Sequence, residues 1–124
     1  MVQTDISQLT AECSDWLQIL RGYREEFHQF EKALQDTCRK SLPKTELQNV
    51  EHFQNQFDIQ LKNIHDVKQS IKSHERQIKS ADAENPNEES YAQHEQLLNE
   101  FLGLENTLQD LRNEFKNYIN RVSC

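Results

Sequence analysis

The chain has 124 residues and a mass of 14.7 kDa, with 35% hydrophobic residues, a mean hydropathy of -0.95, two glycines and two prolines. That length suits one domain, and so little turn-forming material excludes sandwiches and barrels. A net charge of -7 and a pI near 5.2 argue against nucleic acid and anionic membrane surfaces as partners, since both select clustered Lys and Arg.

No apolar span reaches the ~18 residues a membrane helix needs. No basic stretch followed by an apolar one opens the chain, so neither a membrane helix nor a signal peptide is expected. Three cysteines do not make a disulfide framework, and the expected setting is a reducing cytoplasm.

In chain order, the first element is a helix over about residues 5–40. Its apolar or small positions are Ile6, Leu9, Cys13, Trp16, Leu20, Tyr23, Phe27, Phe30, Leu34 and Thr37. Their steps alternate three and four, the stripe of a helix packed along its whole length against other helices. At 1.5 Å per residue it forms a rod about 50 Å long. Asp5 with Gln8 forms a capping box, and Thr4 is an alternative N-cap. Gly22 lies inside this helix but off the stripe.

Ser41 to Thr45 form the first turn, where Pro43 cannot continue the first helix but suits the opening of a second. That second helix spans about residues 43–81. Its expected stripe is Leu47, Val50, Phe53, Phe57, Leu61, Ile64, Val67, Ile71, His74 and Ile78. Asn85, Pro86 and Glu88 then give a strong helix start, and the third helix spans about residues 86–122. From Leu97 its stripe is Leu97, Phe101, Leu104, Leu108, Leu111, Phe115, Tyr118 and Val122. Tyr91, His94 and Leu98 fit a frame one residue out of step, which predicts a change of supercoil near Leu97.

Three helices of similar length with short turns give an all-α, antiparallel up-down-up bundle in a single domain, residues 1–124. Residues equidistant from a turn then share a height, to within about one helical turn. Phe27, Phe30, Phe53, Phe57, Leu111, Phe115 and Tyr118 collect at one end, and Trp16 comes level with Val67, Ile71, Leu98 and Phe101.

The same ruler brings Cys13, His74 and His94 to one height. A thiolate and two imidazoles suit Zn²⁺, with Glu12, Glu75 or Glu95 as a fourth ligand. The bland alternative is a polar layer that fixes register. Glu25 and His28 match a ferritin-type Glu-x-x-His only once and off the stripe, and His52 and His65 read as solvated. There is no phosphate loop, no Ser/His/Asp set and no pair of inward carboxylates. A bundle this thin does not enclose an ordinary substrate pocket, so neither catalysis nor a small-molecule substrate is expected. Cys38 and Cys124 fall at one end, as free thiols in a reducing compartment.

Some apolar residues lie off the stripes. Leu17, Ile19 and Leu102 come to similar heights, and Ile59 and Ile119 are further examples. Beyond partial burial between neighbouring helices, such residues point to a partner surface, for a second copy or for a helix of another protein.

Leu9-x-x-Glu12-x-x-x-Trp16-Leu17 is similar to the start of a spectrin-type repeat, and the three long heptad helices resemble that architecture over the whole chain. The third helix lacks the Trp such repeats often carry. The resemblance implies a spacer or docking module. The expectation is a cytoplasmic, non-enzymatic interaction or scaffold module that self-associates or binds a protein. The alternative is a small metal-binding or redox-sensing bundle using Cys13, His74 and His94.

Overall fold

The computed structural model describes residues 6–38, 43–80 and 88–122, which form three helices and no strand. These are α1 (Ile6–Cys38), α2 (Lys44–Ser80) and α3 (Glu88–Val122). The caps expected at Thr4–Asp5 and Asn85–Pro86 lie outside the described residues. The Pro43 carbonyl accepts the Glu46 N–H at 3.0 Å and the Leu47 N–H at 3.2 Å. So α2 opens directly after the proline, whose missing N–H is not needed there.

The helices form an antiparallel three-helix bundle. Phe27 of α1 meets Phe57 of α2 at 5.7 Å, and Phe53 meets Phe115 of α3 at 5.4 Å between ring centroids. Near the other end, Trp16 packs on His94 at 4.7 Å and on Phe101 at 5.9 Å. Phe30, Phe115 and Tyr118 complete the aromatic layer, with Phe57 fully buried at its centre. Each buried ring adds about 1.5–3 kcal/mol by leaving water, so this layer anchors one end of the bundle.

Polar contacts set the register of α1 on α3. The Tyr23 hydroxyl donates to Glu105 at 3.1 Å and accepts from Gln109 at 3.3 Å. The Arg112 guanidinium donates to Glu26 at 2.8 Å and lies over the Tyr23 ring.

Two expectations about the stripes are corrected. On α2 the buried series runs Val50, Phe53, Phe57, Gln60, Ile64, Ile71, His74, Ile78. Gln60 is buried, whereas Leu61 lies at the edge of the core and Leu47 is 45% exposed. The alternation of three and four, not side-chain hydrophobicity, decides which residue faces inward. The Gln60 amide oxygen meets its polar need by accepting from Asn63 at 3.2 Å. On α3 the buried series His94, Leu97, Phe101, Leu104 is unbroken. The expected frame shift is absent, because His94 itself occupies the core position one step before Leu97.

Candidate functional site

The core stripes carry polar groups at few places, and one of these places joins all three helices. Cys13 on α1, His74 on α2 and His94 on α3 each occupy an inward heptad position at the same height. Their Sγ and ring-nitrogen atoms lie within 4.8 Å of one another, and all three residues are buried. The ruler built from turn positions is borne out here to within a side chain.

A chain of hydrogen bonds orders the cluster. His94 Nε2 lies 2.7 Å from a Glu12 carboxylate oxygen, and His94 Nδ1 lies 3.1 Å from His74 Nε2. The carboxylate accepts the His94 Nε2–H, which leaves the Nδ1 lone pair to accept from His74 Nε2–H. His74 Nδ1 then stands buried without a hydrogen-bond partner. An orphaned buried polar atom of this kind costs about 1–3 kcal/mol.

Burial first, and then the neighbouring His94, hold the His74 imidazole below its usual pKa, while the Gln93 side chain pulls weakly the other way. Burial, assisted by Glu75 and Glu12, pushes the Cys13 thiol up to about 11. In the protein alone, Cys13 is therefore a thiol at neutral pH.

Of the three carboxylates considered as a fourth ligand, Glu12 is engaged with the outer nitrogen of His94. Glu75 leans toward Lys79, 3.7 Å away, and Glu95 is exposed. Glu12 thus stands against the outer nitrogen of His94. Its place seven residues before Ile19 puts it on the flank of α1 that faces α3, which leaves open the atom it meets. His52 and His65 are exposed as expected, and exposed His28 pairs with Glu31 at 3.0 Å. The Cys38 side chain and Cys124 lie outside the described residues.

The off-stripe apolar residues divide. Leu17 and Ile19 stand two residues apart, about 200° around the helix. Leu17 is half-buried and packs against the core. Ile19 is 41% exposed and Leu102 45% exposed. Ile19 shares its heptad position with Glu12 and Glu26, which contact α3 through His94 and Arg112. Ile19 therefore borders the α1/α3 groove, and Leu17 lies on the other flank. That groove is an open depression of about 350 Å³ lined by Ile19, Gly22, Tyr23, Glu26 and Arg112.

No helix among the described residues is long and apolar enough to cross a membrane. No family model, curated protein or solved structure matches the chain.

Proposed function

We propose that this chain is a non-enzymatic helical-bundle interaction module that docks a basic amphipathic helix of a partner protein along its α1/α3 face. The observation that carries the reading is Ile19, 41% exposed on a groove also lined by Gly22, Tyr23, Glu26 and Arg112, together with Leu102, 45% exposed on α3. A Cβ built at Gly22 meets nothing within 4 Å, so the bundle's own packing does not require glycine there. One apolar anchor on a shallow groove, with a second exposed on the neighbouring helix, suits the apolar face of an incoming helix.

Charge selects the occupant. Asp15, Ile19, Gly22 and Glu26 follow one another by four, three and four, so they share a face of α1. Glu105 lines the same side of α3, and the nearby Arg112 is already paired with Glu26. A second copy would set this acidic face against itself, which like-charge repulsion opposes. A basic helix instead gains attraction at the rim and burial at the anchors. A cytoplasmic setting goes with this reading, since Cys13 stays reduced there.

The test uses a synthetic Leu/Lys amphipathic helix, its binding followed by fluorescence anisotropy. Ile19→Glu combined with Leu102→Glu should abolish docking while leaving the circular dichroism unchanged. Because the variant is more acidic, purely electrostatic binding would strengthen instead. That strengthening would refute the docking face.

A further inference from the structure

A second site lies in the core and does not depend on the docking reading. We infer that Cys13, His74 and His94 form a Zn²⁺ site that ties α1, α2 and α3 together at one end of the bundle.

One ligand comes from each helix, and their ligand atoms lie within 4.8 Å of one another. The 3.1 Å between His74 Nε2 and His94 Nδ1 is close to the ~3.3 Å edge of a tetrahedron with Zn–N near 2.05 Å. A thiol with two imidazoles is a borderline-soft donor set, which suits Zn²⁺ and not Mg²⁺ or Ca²⁺, whose ligands are oxygens.

Two further observations point to a ligand. Glu12 holds the nitrogen of His94 that faces away from His74, at 2.7 Å. That is the carboxylate–histidine pairing that orients metal-bound imidazoles and raises their basicity. His74, only 4% exposed, carries the buried nitrogen without a partner. His74 offers its lone pair at Nε2 once its proton moves to the unpartnered Nδ1. The zinc–sulfur bond forms as the Cys13 proton leaves to solvent, and no electron changes hands. An open groove of about 450 Å³, lined by Ser70, Ser73, Gln77 and Gln93, reaches His74 from solvent.

The experiment is a Co²⁺ titration of the full chain after treatment with a chelator, followed by displacement with Zn²⁺. One equivalent per chain should give a tetrahedral visible spectrum and a thiolate-to-cobalt charge-transfer band. Cys13→Ser should remove that band, and Glu12→Gln should keep the fold while weakening zinc affinity about 10–100-fold. His65→Gln, on the exposed surface, should change nothing. A wild-type chain with no cobalt spectrum would overturn the site, as would a charge-transfer band that survives in Cys13→Ser. If Cys13→Ser fails to fold, the wild-type spectrum and the Glu12→Gln affinity decide: zinc bound equally well by Glu12→Gln counts against the site.

Discussion

Replacing the histidine pair with His74→Leu and His94→Leu separates a metal site from a structural polar layer. Both residues are buried, His74 at 4% and His94 at 7% exposure. The substitution removes the unpartnered His74 nitrogen, worth about 1–3 kcal/mol, and adds apolar burial at about 25 cal/mol per Å². Against this it loses the Glu12–His94 hydrogen bond, worth about 1 kcal/mol with Glu12 at 41% exposure, while the His74–His94 bond disappears with both its partners at nearly no net cost. The net expectation in chelator is a gain of about 1–3 kcal/mol. At about 2.1 cal/mol/K per residue, 124 residues unfold with about 260 cal/mol/K, so each kcal/mol moves Tm by about 4 °C. Thermal melts followed by circular dichroism should therefore place the variant about 4–12 °C above the wild type without metal. With free zinc at 100 times its Kd, the wild type should gain about 2.7 kcal/mol, about 10 °C, and the variant nothing. A variant less stable than the wild type in chelator would refute the reasoning. The buried histidines would then be stabilising the bundle by themselves.

Phe57→Ala, at the fully buried centre of the aromatic layer, should cost about 3–5 kcal/mol and lower Tm by about 12–20 °C; a loss under 5 °C would mean the layer is not packed as described. Gly22→Ala, with open space for the new methyl, should raise Tm by about 4 °C through helix propensity. The same change should weaken the basic helix if that helix seats against Gly22, and anisotropy reads this directly. Below its ordinary pKa of 6.5, folded His74 resists protonation, with buried His94 facing it, while the unfolded chain takes up the proton. Metal-free stability from this group is thus present above about pH 6.5 and falls as pH drops below it. His74→Leu should remove that part of the slope in pH-dependent melts.

Much of this molecule is legible in its sequence because heptad stripes and two short turns fix both which residues face inward and which share a height. Phe27 against Phe57, Phe53 against Phe115, and the Cys13–His74–His94 cluster follow from that geometry alone. The errors arise where hydrophobicity competes with period. Leu61 draws the eye, but strict alternation after Phe57 buries Gln60. Leu17 and Ile19 look like one patch in the linear chain, yet the helix sends them to opposite flanks. The role of Glu12 was not legible, because which nitrogen of His94 meets the carboxylate depends on ring orientation. Heptad spacing sets the position of a side chain and leaves its torsions open.

Sedimentation equilibrium of the full chain, with and without zinc, tests most directly whether three stripes close within one chain and leave the α1/α3 face to another protein. The expected result is a single species near 14.7 kDa under both conditions. A stable dimer would contradict it, because the stripes would then close between copies or the acidic face would bind itself.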